Sequence, residues 1–100
     1  MAEEIYSLSV KGQRAFANRD FRGVARDLKN MLPGQSCVLA KDFLREGKEH
    51  DEWLKKKRGI GLGIQEKLNG NGEDYKVGVG RSEDEGKVFH WNYLMVKRVR

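Results

Sequence analysis

One hundred residues are the size of one domain with one hydrophobic core. Charged residues make up 35% of the chain and hydrophobic residues 38%, yet the apolar positions recur at regular spacings, which excludes a disordered chain. The formal charge of +5 is a moderate excess that fits a polyanionic partner but does not require one.

Neither an export signal nor a membrane span is expected. The segment MAEEIYSLSV, residues 1–10, carries acids where a signal peptide needs cations, and its apolar run is too short. No window approaches the roughly 20 apolar residues that cross a bilayer. The single cysteine, Cys37, excludes an internal disulfide and is typical of a reducing compartment. We therefore expect a soluble, cytoplasmic protein without a membrane partner.

The first third of the chain predicts an arm followed by helix. Residues 5–10 alternate in polarity, as in a short strand or an ordered arm. Residues 11–32 then place one apolar stripe at helical spacing, formed by Ala17, Phe21, Val24, Ala25, Leu28 and Leu32. Gly12 and Gly23 weaken a single continuous helix, and Asp20 could cap a second one. A Pro-Gly pair ends this region.

The middle of the chain predicts one short strand and two further helices. Residues 36–40, SCVLA, are β-prone and just long enough for a strand. Residues 41–58 are charged and helix-prone, with Gly47 as a place where the helix could divide. Residues 60–68 bring Ile60, Ile64 and Leu68 onto one helical face.

The last third predicts an antiparallel hairpin. Residues 74–81 and 87–99 both alternate in polarity, and they flank the polar turn SEDEG. Pairing Arg81 with Lys87 places one set of side chains on one face, namely Tyr75, Val77, Val79, Phe89, Trp91, Tyr93 and Met95. We expect this aromatic face to be core, so that Trp91→Ala costs roughly 3–5 kcal/mol. Gly78 and Gly80 fall on the other face, beside His90 and Asn92.

This order of elements resembles the winged helix-turn-helix superfamily over residues 20–98. FRGVARDLKNML is similar to its first helix, SCVLA to its small strand, KDFLREGKEH to its second helix, IGLGIQEKL to its third and the hairpin to its wing. The resemblance implies an α+β domain of winged-helix type, with three or more helices and a C-terminal antiparallel hairpin, over residues 20–100. Residues 1–19 would add an arm or strand and a helix start. Many such proteins dimerise through added terminal segments, so a homodimer stays open here.

Four consecutive cations precede three glycines spaced two apart, at Gly59, Gly61 and Gly63. A dinucleotide loop needs glycines at its first, third and sixth places after a strand, and a phosphate-binding Walker loop needs Gly-Lys-Ser/Thr. Neither pattern is present. The cations are therefore expected to end a helix, with Gly59 as its cap. A helix dipole favours only one or two cations there, which leaves the run of four unexplained.

The resemblance implies that the third helix enters the major groove of duplex DNA. The expected phosphate contacts are Lys55, Lys56, Lys57, Arg58 and the backbone amides near Gly61. Gln65 and Lys67 are the side chains able to reach base edges. The alternative is a solvated basic turn.

A second basic stripe is predicted on the first helix, formed by Arg19, Arg22, Arg26 and Lys29. Charges of both signs usually alternate on a solvated face, so this segregation favours a binding surface. The alternative is that the arginines extend along apolar surface. Arg81, at the base of the hairpin, could also touch the DNA backbone.

Two other functions remain open. Phosphates would repel Glu83, Asp84 and Glu85 at the hairpin tip, so these acids favour a protein-binding module or inhibitor that docks on a larger protein. The aromatic hairpin face could instead stack single-stranded bases, as in sheet-based RNA binders.

No catalytic or metal-binding constellation is expected. His50 and His90 are far apart in sequence and lack neighbours at metal-ligand spacing. Cys37 lies in a run that predicts burial, where thiols are usually inert. The sequence thus predicts a small regulatory DNA-binding protein that is not an enzyme and uses no cofactor or metal.

Overall fold

The computed structural model describes residues 5–68, 72, 74–82 and 88–100. Three helices and three strands follow one another as α1 (Val10–Ala17), α2 (Phe21–Leu28), β1 (Ser36–Arg45), α3 (Lys48–Leu68), β2 (Tyr75–Arg81) and β3 (Phe89–Arg98). The strands form one antiparallel sheet in the order β1-β3-β2. The α+β class, the three helices and the antiparallel pairing of the last two strands are therefore confirmed.

The helices cover one face of this sheet and enclose a single core. Its fully buried members include Leu28 of α2, Ile64 of α3 and Leu94 and Val96 of β3. α3 packs on β2 and α2, and α1 packs on α2. The structure is thus two-layered, with helices on one side of the sheet only.

The N-terminal region is two short helices, so of the two alternatives that the sequence left open, the one in which Asp20 caps a second helix is observed. Ser9 caps α1 by accepting a hydrogen bond from the Gly12 amide, and Asp20 caps α2 by accepting from the Gly23 amide. The preceding arm lies against the start of β1, where the Tyr6 amide donates to the Ser36 carbonyl at 2.7 Å.

The predicted helix over residues 41–58 is wrong for its first part, because β1 continues to Arg45 and α3 begins only at Lys48. β1 pairs with β3 along this whole stretch, from Ser36 opposite Lys97 to Arg45 opposite Phe89. Local helix propensity in charged residues is weak, and the pairing of nine β1 residues with the central strand outweighs it. Gly47, with φ +118°, then turns the chain into α3.

The predicted helix end at Arg58, the cap at Gly59 and the separate helix over residues 60–68 are also wrong. α3 is one helix of 21 residues. A Cβ at Gly61 would lie 3.0 Å from Val77 Cγ1, and one at Gly63 would lie 2.6 Å from the Phe21 ring. These two glycines therefore allow close packing of α3 on β2 and on α2, rather than a turn.

The predicted register of the last two strands is wrong by five residues. The observed partners include Tyr75 with Arg98, Val77 with Val96 and Val79 with Leu94. An odd shift reverses which face of β3 meets the core. Both faces of β3 carry apolar residues, so alternation alone did not identify the buried face. Leu94 and Val96 point inward, and the predicted aromatic core of β3 points outward.

Among the described residues, no helix combines the length and apolar character that crossing a bilayer requires.

Candidate nucleic-acid interface

We call the side of the sheet that the helices leave uncovered the open face. Alternation along the three strands assigns to it Val38, Lys41, Phe43, Arg45, Lys76, Gly78, Gly80, Phe89, Trp91, Tyr93, Met95 and Lys97. An irregularity in pairing between Val38 and Ala40 keeps Val38 and Lys41 on the same side. No helix packs against this surface.

Aromatic rings dominate one half of the open face. Phe43 stacks on Phe89 with ring centroids 5.6 Å apart, and its edge meets Trp91 at 5.0 Å. All three side chains nevertheless remain exposed: Phe43 by 52%, Phe89 by 47% and Trp91 by 40%. A contiguous aromatic surface left in water marks a binding site more often than chance exposure.

Cations occupy outward positions on all three strands, and two of them, Lys41 and Arg45, lie beside these rings. Lys41 Nζ lies 4.5 Å from the Trp91 ring centroid and 5.8 Å from that of Tyr93. Arg45, Lys76 and Lys97 occupy three further outward positions and are exposed or nearly so. Asp42, the one acid within the three strands, is exposed on the helix side of the sheet and accepts a hydrogen bond from Trp53 of α3 at 2.7 Å. The outward positions of the strands thus carry four positive charges and no carboxylate.

Bare backbone forms the β2 side of the open face. Gly80 is the cross-strand partner of Tyr93, and Gly78 is that of Met95. This corrects the prediction that the two glycines lie beside His90 and Asn92. A Cβ built at either glycine meets nothing within 4 Å. The result is a flat floor beside Tyr93 that a planar group could cover.

The four consecutive cations do not form one patch. Successive helical residues point about 100° apart, so the exposed Lys56 points away from Lys55 and Arg58, which are three residues apart and lie on one face of α3. Lys57 is half-buried, with its Nζ 5.9 Å from the Trp53 ring. These residues lie in the middle of a helix, whereas the sequence predicted a helix end.

Two other predicted contacts have packing roles in the fold. Gly61 is buried against Val77, and the Gln65 amide donates to the Tyr75 carbonyl at 3.0 Å. Both therefore help to hold β2 on α3.

Arg81 forms an ion pair with Glu46 at 2.9 Å. The acidic tip, Glu83, Asp84 and Glu85, lies outside the described residues.

The basic stripe of the first helix is partly assembled. Arg22, Arg26 and Lys29 of α2 line one surface cleft together with Lys67 of α3. Arg19 does not line it; it occupies the turn between α1 and α2 with φ 56°. The sequence thus identified four members of this cleft, although it assigned Lys67 to base contacts on another helix face.

Polar groups beneath the sheet serve the fold. The Asp27 carboxylate accepts hydrogen bonds from the Tyr6 hydroxyl at 2.7 Å and from the Ser9 amide at 2.8 Å. Burial and this bond to Asp27 raise the pKa of Tyr6 to about 12.

Cys37 is buried, as predicted, and burial raises the pKa of its thiol to about 11. The described residues contain no group of three His, Cys, Asp or Glu side chains that could hold a metal ion.

Comparison with protein families, with curated proteins and with solved structures found no match for this chain. The winged-helix resemblance therefore stays a prediction.

Proposed function

We propose that this protein binds single-stranded nucleic acid on the open face of its sheet. The observation that carries the proposal is the set of exposed rings Phe43, Phe89 and Trp91, with Lys41 and Arg45 beside them and no carboxylate at an outward position of the three strands. Every base has a π-face, and stacking on an aromatic side chain contributes about 1–3 kcal/mol per base. Neighbouring cations then contact the phosphates between the stacked bases.

A single strand suits this face better than a duplex does. Stacking on a protein ring requires a base whose own face is free, and a duplex covers its base faces by internal stacking. Lys41 is a flexible side chain above Trp91, so an incoming base displaces it from the ring towards a phosphate. The glycine floor beside Tyr93 gives a second planar group room to lie against the sheet.

Duplex DNA binding by a winged-helix domain is the second candidate function. The cleft lined by Arg22, Arg26, Lys29 and Lys67 supports it, because four cations from two helices meet there. The directions of Lys56 and the half-buried Lys57, which differ from that of Lys55 and Arg58, weaken it because the four cations do not form one patch. It depends on helix surfaces only, so variants of the open face distinguish the two candidates.

The first test measures fluorescence anisotropy of labelled single-stranded DNA, single-stranded RNA and duplex DNA from low to physiological salt. We expect tighter binding of a single strand, and Trp91→Ala should weaken it roughly tenfold or more through the lost stacking. Val10→Ala is the matched control, because Val10 is an exposed apolar residue on α1, a helix that packs on α2. Duplex preference, or unchanged binding by Trp91→Ala, would reject the open face as the site.

A second variant avoids any loss of packing. Gly80→Thr adds a β-branched side chain to a strand position with open space, so the fold should be as stable as before or slightly more stable. The same side chain covers the floor beside Tyr93, and we expect single-strand affinity to fall while the melting temperature does not. Gly80→Ala should give a smaller loss in the same assay. Wild-type affinity in Gly80→Thr would show that no ligand group lies on this floor.

A further inference from the structure

The cleft between α2 and α3, of about 290 Å³, is a second basic surface. Arg22, Arg26 and Lys29 follow one another at spacings of four and three along α2, so they share one helical face. Lys67, in the last turn of α3, closes the cleft from the other side. The methyl group of Ala25 lines the bottom of the cleft. No aromatic residue lines it.

Within the described part of the chain, the cations of this cleft have no acidic partners. None of Arg22, Arg26, Lys29 and Lys67 forms an ion pair with a described residue, and no described carboxylate lines the cleft. Elsewhere, Arg81 pairs with Glu46 and Arg100 pairs with Asp74. Four like charges around one cleft repel one another, and a bound polyanion relieves that repulsion.

The cleft and the open face lie on opposite sides of the core. α3 packs on the inner face of the sheet and α2 packs on α3, so the outer surface of these two helices points away from Trp91 and its neighbours. The molecule is 24 Å along its shortest axis. A strand of a few nucleotides that covers the open face therefore leaves the cleft free.

We propose that the cleft binds the phosphate backbone of a second nucleic-acid segment, so that one molecule bridges two strands. The proposal rests on the proposed function for the first strand, and it adds a site of different chemistry. The open face offers rings for bases, whereas the cleft offers only cations and a methyl group. Its contacts are therefore to phosphate, independent of sequence and strongly dependent on salt.

The test is a sandwich capture. A short single-stranded homopolymer is immobilised, the protein is added, and capture of a labelled strand of the same homopolymer, which cannot base-pair with the first, is measured. The cleft variant is Arg26→Glu with Lys29→Glu, two exposed positions. The matched control is Lys11→Glu with Arg14→Glu on α1, which makes the same charge change outside this cleft.

We expect the wild type and the α1 control to capture the second strand, and the cleft variant to lose roughly tenfold in capture. The milder variant Arg26→Gln with Lys29→Gln should lower the salt slope of second-strand binding by about 1.4, since each single-strand phosphate contact contributes about 0.7. Undiminished capture by both cleft variants, with circular dichroism showing folded protein, would overturn the bridging proposal alone. Loss of all single-strand binding in the cleft variants, with Trp91→Ala unaffected, would overturn both proposals.

Discussion

Gly59 and Gly61 lie two positions apart on α3, but Gly59 faces open space and Gly61 faces closely packed side chains. A Cβ at Gly59 would meet nothing within 4 Å, whereas one at Gly61 would press on Val77 and on Leu94, which is fully buried. The sequence showed three glycines in regular spacing and gave no sign that they differ. The distinction depends on which residues from distant parts of the chain pack against the helix, and a single local stretch does not contain that information.

The same substitution should therefore have opposite effects at the two positions. Gly59→Ala should raise the free energy of unfolding by about 1 kcal/mol, because alanine favours an exposed helix more than glycine does. Gly61→Ala should lower it, because Val77 and Leu94 have to move to make room. Chemical denaturation of both variants checks this. An equal gain in stability at both positions would show that Gly61 is not a close-packing glycine.

At the scale of elements, β3 decides both the fold and the candidate site. The α+β class, the helix break at Asp20 and the existence of β2 and β3 were all predictable, because capping residues and alternation are local signals. The length of β1 and the register of β3 were not, because they depend on pairing between residues far apart in the chain. A signal for the open face was present in the alternation of Lys41, Phe43 and Arg45, which puts cations and a ring on one face of a strand. The helix-prone composition of residues 41–58 obscured it.

The corrected register changes the expected energetics of β3. Trp91 is partly exposed, so Trp91→Ala should cost about 1–2 kcal/mol instead of the roughly 3–5 kcal/mol of a buried aromatic residue. Leu94→Ala, three residues further along the same strand, should cost roughly 2–5 kcal/mol because Leu94 is fully buried. Urea denaturation of the two variants measures both values. A larger cost at Trp91 than at Leu94 would restore the original register.

At the scale of the whole molecule, Asp27 connects the N-terminal arm to the helical layer. Its carboxylate binds Tyr6 and Ser9, and the arm in turn bridges to Ser36 at the start of β1. A side chain at Gly12 would collide with this carboxylate, so α1 also depends on its position. Burial acts to raise the pKa of Asp27, but hydrogen bonds from Tyr6 and Ser9 outweigh it and hold the pKa below its ordinary value of 3.8.

This lowered pKa predicts a specific loss of stability in acid. The Asp27 contribution is fully present above pH 4 or so, and it is lost as the pH falls through the lower pKa of the folded state. Asp27→Asn should be less stable at neutral pH by about 1–3 kcal/mol, because buried hydrogen-bonding groups lose their ionised partner. Its stability should also fall less between pH 5 and strong acid, roughly the range of carboxylate titration. Asp51→Asn, at an exposed position, should follow the wild-type profile when thermal unfolding is measured across this range.

The two tryptophans of the chain occupy contrasting positions, and this makes the protein its own optical probe. Trp53 is buried and donates its indole N–H to Asp42, while Trp91 lies on the open face beneath Lys41. The intrinsic emission of the protein therefore contains a shielded component and a component accessible to quenchers. A nucleobase stacked on Trp91 would quench only the second, so occupancy of the sheet can be followed without labelling either molecule.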